Sequence, residues 1–159
     1  MKLHKPPAPL PQAPALFLAG SIDQGGADPW QSRLTAALED LEGDALNPRR
    51  DEWDASWRQR MDEPRFREQV EWELAGLERS QVVAMYFAPS SQAPITLLEL
   101  GLVAARAPHK LVVCCPDGYW RKGNVEIVAA RFGVALVNEW DAFTAALRVR
   151  LLRRDAGSQ

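Results

Sequence analysis

The sequence predicts an α/β protein whose parallel sheet is covered by helices on both faces. Short apolar runs and segments of helical period alternate five times along the chain. That alternation is the pattern of a parallel sheet sandwiched between helices. Right-handed crossovers then restrict the topology to a doubly wound sheet. With 159 residues, 47% of them hydrophobic, the chain is long enough to bury one core of this kind.

The elements follow in order. Residues 1–14 hold five of the twelve prolines. Such a segment excludes a helix or a central strand, and an extended, partly disordered arm is expected. Residues 15–19 (ALFLA) form the first apolar run and end at Gly20. A glycine-rich loop leads into a helix over 30–41, where Leu34, Ala37, Leu38 and Leu41 share a side and Pro29 suits the first turn. Residues 44–46 are a short strand, and 47–62 a polar loop. Pro64 opens a second helix over 64–79. Residues 81–87 (QVVAMYF) read as a buried strand, and 95–105 as a largely apolar helix. A strand over 110–115, a helix over 123–132, a strand over 134–137 and a helix over 140–153 complete the series. The domain is therefore expected over 15–154, with a frayed tail over 155–159.

Composition excludes several functions. The formal net charge of -2 argues against a surface that grips nucleic acid. The arginines at 148, 150, 153 and 154 read as a solvated helix face. No apolar run approaches the roughly 20 residues of a membrane span. No apolar signal-peptide core stands at the N-terminus, so the cytoplasm is the expected compartment. Cys114 and Cys115 are adjacent in a strand and point to opposite faces, so no disulfide joins them. With only His4 and His109 besides, no zinc site is expected.

In doubly wound sheets ligands bind beyond the carboxyl ends of the strands. Those loops begin here at Gly20, Asn47, Ala88 and Pro116. Glu99 is the sole charge between Ala93 and Ala105, in a helix that starts on that side. A lone carboxylate among Leu97, Leu98, Leu100 and Leu102 is either paired, solvated, or perturbed by burial. On the preceding helix, Phe66, Val70, Leu74 and Leu77 form an apolar stripe at about 100° per residue, and Glu73 falls beside it. Glu68, Glu71 and Glu78 read as surface charges. Two carboxylates in apolar settings are what glycosidic-bond chemistry uses. The loop from Gly20, with Ser21 and Asp23, can cradle an anion with backbone N–H groups, although it is neither a P-loop nor GxGxxG. Asn47 and Arg49 follow the second strand. Arg49 either holds a phosphate or base, or pairs with Asp51 or Asp54. Among six tryptophans, Trp53 and Trp57 in the polar loop suit either base stacking or an interface.

Several segments together resemble the nucleoside 2-deoxyribosyltransferase family. They are FLAGSID (17–23), LNPRRDEWD (46–54), EQVEWELAGLERSQVVAMYF (68–87), ITLLELGL (95–102) and CCPDGYWRKGNVEIV (114–128). The resemblance implies a flavodoxin-like, five-stranded parallel sheet. It implies transfer of 2-deoxyribose between bases, or hydrolysis of the N-glycosidic bond, with no metal and no cofactor. The glutamate of the family's E-x-G motif is the nucleophile and corresponds to Glu99. The acidic residue that works on the base corresponds to Glu73. The sugar-binding asparagine, supplied by a neighbouring subunit, corresponds to Asn124, 25 residues after Glu99. Better-known members carry an aspartate where this chain has Ala93, which leaves the sugar contact to Ser90, Ser91, Gln92 or Thr96. A serine in this region binds phosphate in relatives that hydrolyse nucleotides. The implied partners are a nucleoside or nucleotide, a free nucleobase, and further copies of the same chain. Besides the transferase, an N-glycosidase and a non-catalytic nucleotide-binding protein remain open at this stage.

Overall fold

A computed structural model describes residues 1–21, 29–52, 54 and 56–156, the last three as backbone only. Six strands form one sheet: β1 (Lys2–His4), β2 (Leu16–Gly20), β3 (Asp44–Leu46), β4 (Val82–Tyr86), β5 (Leu111–Cys114) and β6 (Ala135–Val137). All neighbouring pairs are parallel, in the order β1-β3-β2-β4-β5-β6. Five helices accompany them: α1 (Trp30–Ala37), α2 (Pro64–Arg79), α3 (Pro94–Arg106), α4 (Lys122–Phe132) and α5 (Trp140–Ala156). Apart from β1 the strand order is that of a flavodoxin-like, doubly wound sheet.

The strand count corrects the expected five. The proline-rich arm supplies the sixth strand, pairing Lys2, Leu3 and His4 with Asp44, Ala45 and Leu46. The strand ends before the first proline, Pro6, and lies at the edge of the sheet. The arm then crosses α2, where Trp72 Nε1 donates to the Ala8 carbonyl at 2.8 Å.

Side chains alternate across the sheet and build two cores. Phe17, Val83, Met85 and Val113 face α2, α3 and α4, while Leu16, Leu18, Ala84 and Val112 face α1 and α5. Cys114 and Cys115 fall in opposite cores, both as free thiols.

Helix α1 is shorter than expected, ending at Ala37 rather than near residue 41. Arg148 from α5 donates to the Ala37 carbonyl at 2.9 Å and pairs with Asp40, which satisfies the helix end from outside. The buried face of α2 also differs from the expected stripe. Gln69, Trp72, Gly76 and Leu77 are buried, and Leu74 is exposed. Gly76 explains the rotation. A Cβ there would lie 2.6 Å from a Phe17 ring carbon, so α2 rides directly on that ring. No helix among the described residues is long and apolar enough to cross a membrane.

Candidate active site

The carboxyl edge of the sheet is level across its centre, with Gly20 beside Tyr86 and Tyr86 beside Cys114. The loops leaving this edge position the candidate residues.

Glu99 stands on α3. Pro94 opens that helix at a position where a missing N–H costs nothing. Thr96, Glu99, Leu100 and Val103 form its buried face, and Glu99 is only 7% exposed. Among the described residues no hydrogen bond or ion pair reaches its carboxyl group. Burial therefore pushes its pKa up to about 8, and the nearby charge of Glu73 adds to the rise.

Glu73 comes from α2, one turn after Gln69. Its Oε1 accepts from Gln69 Nε2 at 2.7 Å. Burial raises its pKa above the usual carboxylate range, and the Gln69 hydrogen bond pulls in the opposite direction. The same Gln69 nitrogen lies 2.8 Å from the Pro48 carbonyl. The loop after β3 is thereby tied to the helix that carries Glu73. In that loop Asn47 is buried, and its Oδ1 accepts from the Arg49 N–H at 3.0 Å. Arg49 itself is exposed and meets no carboxylate among the described residues. Asp51, one of its expected partners, pairs with Lys5 instead.

Gly20 and Ser21 end β2 between these loops. A Cβ on Gly20 would come within 2.6 Å of the Tyr86 carbonyl and of the Trp30 ring. The glycine is thus required by close approach, whatever its ligand role. Ser21 is buried, and its Oγ accepts from the Ala88 N–H at 3.4 Å, which joins the ends of β2 and β4. Asp23 and Trp53 lie outside the described residues. Trp57 faces the guanidinium groups of Arg50 and Arg65, at 5.1 and 5.8 Å from its ring centre.

The loop between β4 and α3 holds Ser91, whose N–H donates to Ala88 O at 3.0 Å and whose Oγ is buried without a partner among the described residues. Thr96 is buried one turn before Glu99. Tyr119 Oη and Trp120 Nε1 both donate to the Gln92 carbonyl, at 2.9 and 3.1 Å. Next to it Ala93 adopts a left-handed conformation, φ 44°.

Glu73 and Glu99 are therefore brought together, and Gln69 links Glu73 to the Pro48 carbonyl next to Asn47. Asn124 is not. It is exposed at the start of α4 and lines a groove of about 280 Å³ with Leu97, Leu100, Gly101, Arg121 and Val128. At about 100° per residue, Leu97 and Glu99 lie on opposite flanks of α3. Between those flanks the helix presents Ile95 and Leu98, 59% and 60% exposed, together with Leu102. Part of the largely apolar surface expected of this helix thus faces solvent.

The sequence reading passed over Gln69. Its i, i+4 spacing from Glu73 was the available signal. Among the described residues no group of three or more His, Cys, Asp or Glu side chains could hold a metal ion.

No curated protein matches the chain significantly. A family model described as nucleoside 2-deoxyribosyltransferase like matches residues 13–119, more than half of the sequence, and that stretch contains both carboxylates while ending before Asn124. The chain belongs to the nucleoside 2-deoxyribosyltransferase-like family.

Proposed function

We propose that the protein cleaves the N-glycosidic bond of a 2-deoxynucleoside through Glu99 and passes the sugar to another base. The observation that supports this most is the pair of neighbouring carboxylates, buried Glu99 and half-buried Glu73, both with raised pKa values.

In this reading the Glu99 carboxylate attacks C1′. The C1′–N bond breaks, its electron pair stays on the departing base, and Glu73 supplies the proton. A covalent glycosyl-enzyme results. A second base then attacks C1′, displaces Glu99 and returns a proton to Glu73. Two displacements give net retention. Because Glu99 holds its proton up to about pH 8, the attack requires prior deprotonation. Glu73 is the nearby base. A proton passing from Glu99 to Glu73 makes one residue a nucleophile and the other an acid in a single step.

Hydrolysis of a nucleoside or its 5′-monophosphate is the second reading. Ala93 in the aspartate position and the unpartnered Ser91 Oγ favour it. Water then takes the place of the acceptor base, and Gly20, Ser21, Asp23, Asn47, Arg49, Ser91 and Thr96 are the residues proposed for ligand contact. A chain assembled with others of its kind is part of the proposal. The bare apolar face of α3 and the separation of Asn124 from Glu99 support it, since a neighbour docked on that face could bring an Asn124 to the site.

Chromatography of deoxynucleosides with and without a free acceptor base tests the reading. A new nucleoside that forms only with acceptor supports the transferase. Free base without exchange supports the hydrolase. No turnover of any nucleoside or nucleotide contradicts both.

A further inference from the structure

Gln69 is polar, yet it is only 4% exposed, on the inner face of α2 between Trp72 and the loop after β3. A buried amide is retained at a cost unless its hydrogens find acceptors. Here Nε2 has two: Pro48 O at 2.8 Å and Glu73 Oε1 at 2.7 Å. Both acceptors demand the nitrogen, so they fix the orientation of the amide. The Gln69 Oε1 is buried with no hydrogen donor among the described residues, which is the direct consequence of that orientation.

We propose that Gln69 is the positioning residue of the carboxylate pair: its amide anchors Glu73 to the Pro48 carbonyl and fixes how that carboxylate faces Glu99. The proposal rests on the reading of Glu73 and Glu99 as the reacting pair, but its physical content does not depend on turnover. An N–H donated to a carboxylate favours the ionised form. Glu73 therefore holds its charge more readily with Gln69 than without it. That charge in turn favours the protonated form of Glu99, so the two titrations are coupled. Gln69 biases where the proton sits without touching the substrate. The link to Pro48 adds a second effect, because Asn47 and Arg49 move with that carbonyl.

Carbon-13 carboxyl titration of the glutamate-labelled protein tests this, with Glu73→Gln and Glu99→Gln for assignment. In Gln69→Met the Glu73 midpoint should rise by about one pH unit, the size of a charge-assisted hydrogen bond. The Glu99 midpoint should fall. If the protein turns over nucleosides, the lost anchoring of Glu73 should lower kcat by about tenfold even though Glu99 ionises more readily, with the pH profile displaced to lower pH and KM changed less. Unmoved titrations in a folded Gln69→Met variant overturn the proposal. Should that variant not fold, the unaltered protein still decides: the Gln69 side-chain N–H resonances should shift with the Glu73 midpoint, and their indifference to pH overturns it too. Shifted titrations in a protein without activity would instead count against the proposed function alone.

Discussion

Glu73 and Glu99 approach one another from different helices, closely enough that the charge of Glu73 strengthens the hold of Glu99 on its proton. Neither carboxylate is paired with an arginine or lysine among the described residues. A structural ion pair would place a cation here; a pair of perturbed acids is what acid–base and nucleophilic chemistry requires.

The raised pKa of Glu99 has a consequence for stability. In the unfolded chain the group ionises near its ordinary value of 4.5, whereas in the folded protein it stays protonated up to about 8. Below pH 4.5 both states bind the proton and there is no differential effect. Stability falls as pH rises between those two values and levels off above the upper one. Glu99→Gln should therefore be more stable than the unaltered protein at pH 8.5, by on the order of 4–5 kcal/mol, with the advantage gone at pH 4. Denaturant melts at the two pH values check this.

Catalysis should separate the two acids. Glu99→Ala is expected to abolish transfer and covalent trapping of the sugar. Glu73→Gln is expected to slow turnover by about 100-fold or more with donors whose base leaves poorly, and less with activated leaving groups. Steady-state kinetics with a series of leaving groups measures the difference.

Packing supplies a third expectation. Gly76→Ala places a methyl group 2.6 Å from a Phe17 ring carbon and 3.1 Å from Leu46 Cδ1, so α2 has to lift off both side chains. A loss of roughly 1–3 kcal/mol is expected. Because Glu73 is on the same helix, turnover should fall as well, in a variant still folded by circular dichroism.

The left-handed Ala93 is strained for a residue with a Cβ. Ala93 is also buried, so only a residue that adds no atoms relieves the strain, and glycine adopts this conformation freely. Ala93→Gly should raise stability by about 0.5–1 kcal/mol, read as a higher Tm.

Assembly is tested on the outer face of α3. Light scattering should give a mass that is a multiple of 17.7 kDa, and Leu98→Glu should reduce it to one chain with loss of activity. Mixing inactive Glu99→Ala with inactive Asn124→Ala should restore part of the activity if sites are shared between chains. A fully active single chain contradicts this part of the proposal.

Much of this was legible in the sequence, for identifiable reasons. Apolar runs such as 81–87 announced their strands because both sides of the sheet are covered. Glu99 stood out because it was the only charge between Ala93 and Ala105. What escaped depended on contacts that periodicity does not encode. The burial of Gln69 follows from two acceptors, one of them 21 residues away in sequence. The turn of α2 about its axis follows from Gly76 meeting Phe17. The edge strand β1 was hidden by its length, three residues directly before a run of prolines. On α3, apolar residues all round suggested complete burial, yet sequence pattern does not tell cover by the same chain from cover by another.

The measurement that bears most directly on the central claim is a chromatographic panel. Deoxynucleosides, ribonucleosides and their 5′-monophosphates are each incubated with and without a free acceptor base, using the unaltered protein and Glu99→Ala. The expected result is a new 2-deoxynucleoside that appears only with acceptor and is absent with Glu99→Ala. Turnover that survives Glu99→Ala, or no product from any donor, would contradict the account.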